Sequence, residues 1–385
     1  MLQRSGFQTL LTLIILVGMT TLLFLYTSGY RIQREKDSTT IDLTKTGMIG
    51  AKSVPDGANV YLDGKLRTAT DDTIAGVEPG IHTLKIAKKG YEVWEKEIEV
   101  FEELVSDITA ILVSQSPRLE PLTNTGAQNP SISPSLDKLA YFSKDETSPG
   151  VWVLSMGQGA IGLFKTNPAV ILEDTVINKY SEGESIMWSP DETQLLVQMA
   201  PGRHYLVDLQ TNTARTVINL DTLLVDWRAI QDKKRVDFIS KLDIPDNIKQ
   251  LAVSEEVSWA PDQKKFLYTE QVGDTLQYRV YNMEKPLPVG EKVETVVFET
   301  NANSLQPTVT WYADSFHLLL AEGNIEGEKQ GIIYIIRIDG SNKTEVYSNT
   351  LHSPHVYSAP GGDKVIVLTS VKSGEQINLY TVGLR

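Results

Sequence analysis

One block recurs five times after Pro117 in this 385-residue chain, and it restricts the fold more than any other feature. Each copy is a short apolar strand, a turn built around Ser/Ala-Pro-Asp, a second apolar strand and a third strand with aromatic residues. The turns are Ser133-Pro134-Ser135-Leu136-Asp137, Trp188-Ser189-Pro190-Asp191, Trp259-Ala260-Pro261-Asp262, Trp311-Tyr312-Ala313-Asp314 and Ser358-Ala359-Pro360. Second strands are expected at 139–142, 195–197, 266–268, 318–320 and 365–368. Third strands are expected at 151–154, 204–207, 278–281, 333–336 and 377–380. With Ala313 standing for the missing proline, the steps are 56, 71, 52 and 47 residues. Units near 40–50 residues with three or four strands predict propeller blades, which bury their faces by stacking on neighbours.

The block resembles the WD40-like repeat of the TolB-type propeller, whose signature is Trp-Ser-Pro-Asp-Gly. Trp188-Ser189-Pro190-Asp191 matches its first four residues, and no copy carries Gly directly after them. The resemblance covers 117–385. It implies a propeller of five to six blades: the sixth is degenerate, or residues 118–123 complete the last blade by strand exchange. The 71-residue step holds an insertion at 222–254. There Leu223, Trp227, Ile230, Phe238 and Leu242 approximate one helical face, with Lys233-Lys234-Arg235 on the other. Asp243-Ile244-Pro245-Asp246 starts a second short helix. Two helices packed on or beside the disc are expected, as packing cover more than as a binding surface.

Upstream, residues 51–114 alternate in short runs broken by turn residues and show no helical period. Asn59-Val60-Tyr61-Leu62 runs into Asp63-Gly64, a hairpin turn signal. Residues 80–86 alternate. Residues 91–100 alternate with a phase slip between Trp94 and Ile98, which predicts a bulge. A last strand is expected at 107–113. Pro55-Asp56-Gly57-Ala58, Gly80 with His82, and Lys89-Gly90-Tyr91 resemble the PEGA domain family, with Asp for Glu in the naming motif. The resemblance implies a small β-sandwich of surface or envelope proteins and no catalytic residues. As a turn, the motif uses Pro55 to fix φ, Gly57 for positive φ and Asp56 to accept local N–H groups.

After a short tail at 1–6, residues 7–26 carry no charge. As a helix they would be about 30 Å long, the thickness of a bilayer core. A transmembrane anchor is expected, followed by a polar linker at 27–50 with at most one loose strand. Arg31, Arg34 and Lys36 follow the span and only Arg4 precedes it, so the Lys/Arg count favours a cytoplasmic body. Both domain resemblances point the other way, to an extracytoplasmic body, and are given the greater weight.

The fold class expected is therefore all-β: a PEGA-type sandwich and a propeller behind one membrane helix. Composition narrows the chemistry. With no Cys, there is no disulfide, thiolate nucleophile or Cys-ligated zinc. A net charge of −13 disfavours nucleic acid. Gly157-Gln158-Gly159-Ala160-Ile161-Gly162 fits a dinucleotide fingerprint, but no helix follows, so it reads as a blade hairpin. His352-Ser353-Pro354-His355 with Asp363 reads as a loop more than a metal site. Asp137, Asp191, Asp262 and Asp314 recur once per blade, which suits turn capping. Trp188, Trp259 and Trp311 hold equivalent positions, which suits blade packing more than a sugar platform. No Gly-x-Ser-x-Gly elbow exists. Neither cofactor nor metal is expected. The reading is a membrane-anchored scaffold of the cell envelope that binds a protein, peptide or wall glycan. The alternative is a polysaccharide hydrolase or lyase with its acids in the propeller funnel.

Overall fold

A computed structural model describes the chain except residues 1, 28–29, 35–40, 159–163, 372–375 and 385. It divides into two compact units: residues up to Lys89 with Val93–Leu112 and Pro288–Glu291, and Gly90–Glu92 with Val113–Leu287 and Lys292–Arg385.

The first element is α1, Leu2–Thr27, a helix of 26 residues without proline. Its described apolar side chains, from Leu10 to Phe24, are exposed. Among the described residues no helix is long and apolar enough to cross a membrane. The expected linker is shorter than its sequence suggested. Strands β1 (Tyr30–Arg34) and β2 (Ile41–Lys45) pair antiparallel, from Tyr30 opposite Lys45 to Arg34 opposite Ile41. Each alternates over only five residues, too short a run to stand out from a polar sequence.

A β-sandwich follows. One sheet has the order β6-β3-β9, from Asp72–Val77, Gly47–Val54 and Val105–Ile111. Here β3 and β9 run parallel. The other has the order β5-β4-β7-β8, from Lys65–Ala69, Asn59–Leu62, Gly80–Ala87 and Trp94–Val100. Alternation buries Ile49, Ala51, Val60, Leu62, Leu84, Ile86, Ile98 and Ile108. Asp63 and Gly64 have φ of 51° and 75°, both positive as a type I′ turn requires. The bulge expected near Trp94 is absent. From Trp94 to Val100 the pairing with β7 is unbroken. Trp94, Ile98 and Val100 share the buried face with half-buried Lys96 between them. Tyr91 and Val93 precede the strand, so they never belonged to its alternation.

Among the described residues, the remainder is a propeller of five four-stranded antiparallel sheets. The innermost strands are Gln128–Ile132, Ser185–Trp188, Ser258–Trp259, Thr308–Trp311 and Tyr357–Ser358, one for each of blades 1 to 5. The outermost strand of blade 5 comes from the other end of the propeller sequence: β10, Leu119–Pro121, pairs with Asn378–Gly383. Around it, Thr123 donates its hydroxyl to Asn378 and accepts from the Leu379 amide, both at 3.0 Å. Lys364 reaches Glu120 at 2.8 Å. The ring is thus closed by strand exchange.

Four of the five blade junctions are direct. The Trp188 indole donates to the Ser131 carbonyl, and Glu192 accepts from the Ser135 hydroxyl, between blades 1 and 2. The Trp311 indole donates to Ser258 O between blades 3 and 4. Thr310 donates to Val356 O between blades 4 and 5, and Tyr357 to Pro130 O between blades 5 and 1. Between blades 2 and 3 the insertion intervenes, as α2 (Leu220–Ile239) and α3 (Asp246–Ala252). Asn219 caps α2 by accepting from the Thr222 amide. Trp227 packs on Leu196 and Leu206 of blade 2. Ile239, Ile248 and Ala252 pack on Phe266, Tyr268 and Tyr281 of blade 3. The Trp259 indole, denied a neighbouring blade, donates to Ala252 O of α3. The helices stand as a wedge between blades 2 and 3 and pack on both, which is the placement beside the disc that the sequence allowed.

Candidate functional site

The five turn copies share one geometry. In each, one residue closes the same pair of bonds: the N–H groups of Ser133, Ser189, Ala260, Tyr312 and Ala359 donate to the carbonyls of Lys138, Gln194, Lys265, His317 and Lys364, and their carbonyls accept from the amides of Leu136, Glu192, Gln263, Ser315 and Gly362, three residues on. The accepted residues all have positive φ, between 56° and 64°. This is the place of the signature glycine. The fifth copy does supply it, as Gly362, which lies beyond the quoted Ser358-Ala359-Pro360. Ala313 replaces proline for a reason visible only in space: its amide donates to the Ser358 hydroxyl of the next blade, which proline cannot do.

The turn aspartates act as caps in three copies. Asp191 accepts from Ser189 and Thr193, Asp262 from the Lys264 amide, and Asp314 from the Phe316 and His317 amides. Asp137 does not: it sits two places later in its turn, and Ser135 takes the capping position. Asp262 also holds Lys265, which is fully buried between Asp262 and Glu284 under the Phe316 ring. Asp314 binds His317 Nδ1 at 2.6 Å. Burial alone would raise the Asp314 pKa, but His317 and the two amides hold it below the ordinary value. Pro190, Pro261 and Pro360 stand in these turns as expected from sequence.

The sandwich motif is likewise structural. Gly57 has φ of 70°. The Ala58 amide donates to Thr70 Oγ1, and the Ser53 hydroxyl donates to the Pro55 carbonyl. The exposed Asp56 carboxylate takes no N–H among the described residues; its carbonyl accepts from Lys88 instead. Ser53 and Thr70 do the capping that had been expected of Asp56. Gly90, at φ of 86°, precedes Tyr91, which forms an isolated bridge with Ser114. His82 lies between the Asp63 carboxylate and the Glu78 carbonyl, both at 2.8 Å.

Where the inner strands converge lies a cavity of about 490 Å³. All five blades reach it. Its lining is aliphatic (Ile132, Leu136, Ile186, Met187, Val309), hydroxylic (Ser131, Ser185, Ser258, Thr310, Ser358) and aromatic (Trp188, Trp259, Trp311, Tyr357). Trp188 and Trp311 are 6% exposed, with their indole N–H groups spent on backbone carbonyls, so they are packing residues. Trp259 is half-buried and offers a ring face. Met187 is half exposed. One charged side chain lines the cavity, and it comes from the insertion: Arg235 of α2, its guanidinium 5.2 Å from the centre of the Trp259 ring. Sequence reasoning had placed Arg235 on the solvent face and Ile230 on the packed one. In fact Ile230 is 47% exposed, because α2 buries Trp227 and Ile239 against two different blades rather than one continuous stripe. Only the wedge position shows this.

Gly157 and Gln158 end a strand that returns antiparallel from Phe164, so the glycine motif flanks a hairpin; residues 159–163 lie outside the described part. His352 bonds Ser370, and among the described residues no group of three or more His, Asp or Glu is placed to hold a metal.

The fold thus joins a two-sheet sandwich to a strand-closed propeller in one chain. Residues 46–115 match the PEGA domain family. Similar solved structures are TolB-type propellers and others. TolB from Acinetobacter baumannii is 14% identical over 78% of this chain and 60% of that chain, with a TM-score of 0.26. A TolB chain of Agrobacterium tumefaciens is 15% identical over 67% of this chain and 73% of that chain, TM-score 0.24. Oligogalacturonate lyase from Vibrio parahaemolyticus is 11% identical over 89% of this chain and 84% of that chain, TM-score 0.25. The chain thus spans about 60% of the length of the A. baumannii TolB. No curated protein matches it.

Proposed function

We propose that this protein is a membrane-anchored, extracytoplasmic binding protein of the cell envelope, with the propeller funnel as its ligand site. The observation that carries this reading is the funnel itself. Its volume falls in the range of ligand sites, about 300–1,000 Å³, and its wall mixes aliphatic and hydroxyl groups contributed by every blade. The described lining holds no carboxylate, imidazole or amine, the groups that would move protons in a hydrolase or lyase. That composition supports the binding reading over a polymer-cleaving one. The PEGA match supports an envelope setting.

The proposed anchor is α1, whose described residues alone do not make a spanning helix; it is argued from the uncharged run at 7–26. Its described side chains from Leu10 to Phe24 present apolar surface to the surroundings. Thr12, Thr20 and Thr21 turn their hydroxyls back onto carbonyls one turn earlier, which satisfies them without water.

The test is labelling of intact cells with a membrane-impermeant amine reagent, followed by mass spectrometry of Lys65, Lys88, Lys264 and Lys343. Reaction in intact cells places the body outside. Reaction only after lysis would overturn the topology, and the Lys/Arg count would be the better guide. Sustained turnover of an envelope polymer by the purified chain would overturn the binding reading.

A further inference from the structure

The funnel carries one feature that neither the repeats nor the sandwich explains. Its only charged lining residue, among those described, is contributed by the helical wedge and not by a blade. Arg235 is half-buried, and its guanidinium lies along the Trp259 ring. No hydrogen bond or ion pair is formed by it among the described residues. Its nearest charged influence is Asp232, one turn away on the same helix. Burial depresses the Arg235 pKa, and Asp232 offsets this only in part.

An arginine held like this has a defined chemical appetite. Its five donors form a rigid fork that matches a carboxylate in bidentate fashion. Its place over the Trp259 ring restricts where the fork can lie before any ligand arrives, which lowers the ordering cost of binding. A half-buried cation without a counter-ion is also costly, and an incoming anion recovers that cost.

The rest of the wall says what carries the anion. Ile132, Leu136, Ile186, Met187 and Val309 are aliphatic, which suits a side chain more than a ring of hydroxyls. The described lining offers Gln263 and Ser/Thr hydroxyls as neutral acceptors but no Asp, Glu or Asn, so the one strong polar handle in the wall is the Arg235 cation. We infer that the funnel holds a carboxylate subsite, in which Arg235, held over Trp259, clasps the carboxylate of a short peptide whose apolar side chains lie against the inner strands. This rests on the funnel being a ligand site, and it makes the helical wedge the determinant of specificity.

The test uses the full chain in detergent. Its probes are a library of N-acetyl tetrapeptides with free C-terminal carboxylates, the same library as C-terminal amides, and tetragalacturonate. Calorimetry and tryptophan fluorescence read the binding. Three variants are compared, Arg235→Gln, Arg235→Lys and Met187→Trp. The last narrows the funnel without touching the arginine. The expected result is binding of carboxylate peptides that weakens at least about tenfold in the amides and in Arg235→Gln, the loss of one charge-assisted pair. Arg235→Lys should recover only part of it, because an ammonium lacks the fork. Peptide binding blocked by Met187→Trp but equal for acid and amide, and unchanged in Arg235→Gln, would overturn the carboxylate subsite and leave the funnel reading intact. Retention of tetragalacturonate alone would overturn the peptide as occupant. Absence of any binding would overturn both.

Discussion

Leu136, Glu192, Gln263, Ser315 and Gly362 hold the same left-handed backbone conformation at the same place in five turns. For a residue with a Cβ this costs roughly 1–2 kcal/mol, and the entropy of a glycine returns about half of that. Gln263→Gly should therefore stabilise the chain by about 0.5–1 kcal/mol, and Gly362→Ala should destabilise it by about 1 kcal/mol. The added methyl of the alanine would meet Tyr312 at an ordinary 3.6 Å, so strain and not a clash sets that cost. Thermal denaturation of both variants reads the sign. His82 gives a pH dependence. Burial alone would lower its pKa, but Asp63 and the Glu78 carbonyl raise it above the ordinary 6.5. The stability it adds is complete below about 6.5 and is lost as pH rises through the higher folded value. The loss should be at most about 1 kcal/mol, since the Asp63 side chain is 49% exposed and screened. An NMR titration of His82 in wild type and in Asp63→Asn measures it; a lower pKa in the variant is the expected outcome. Asp314 has the opposite sign: its depressed pKa adds stability that is lost as pH falls through the folded value.

The elements differ in how clearly the sequence announces them. Second and third strands are buried on both faces and read as apolar runs, such as Leu318-Leu319-Leu320 and Ile333-Tyr334-Ile335-Ile336. Outermost strands are exposed and leave little pattern: Thr213–Thr216 buries no residue fully, and Glu294–Asn301 buries only Val297. That is why four strands per blade were not legible when three were. The helix α2 hides its role for a related reason. It has two short contact patches, at Trp227 and at Ile239, in place of one stripe. Trp227→Ala should cost about 3 kcal/mol, as for a large aromatic removed from a packed site. It should also loosen the seat of Arg235, so a melt and a limited proteolysis of residues 220–252 would show the loss together.

At the scale of the molecule, the propeller is a ring that closes through one three-residue strand. Leu119–Pro121 is held by its ladder with Asn378–Gly383, by Thr123 on Asn378, and by Lys364 on Glu120. Exchange of a strand between the two ends of a repeat array removes the open edge that separate ends would leave. Thr123→Val keeps the shape but loses both hydroxyl bonds; Asn378 keeps the Gly126 amide, while the Leu379 amide loses the hydroxyl it donates to. It should lower stability by about 1–2 kcal/mol, the net loss of two hydrogen bonds. Blade 5 should open first, and hydrogen exchange at Val365–Leu368 would report it. Protection there unchanged from wild type would mean that the blades hold without the clasp.

The sequence by itself determined the repeat, the turns and the sandwich motif. These depend on local chemistry: alternation chooses strands, Pro and Asp choose turns, and Pro55, Gly57 and Ala58 fix a bend whatever lies beyond it. Only the tertiary structure decided how many blades close the ring, that two helices stand in one sector of it, and that Arg235 turns into the funnel. Those outcomes depend on which surfaces meet across 50 or more residues. A run of Lys233-Lys234-Arg235 cannot reveal, from its own periodicity, that one of the three will find a tryptophan from the next blade.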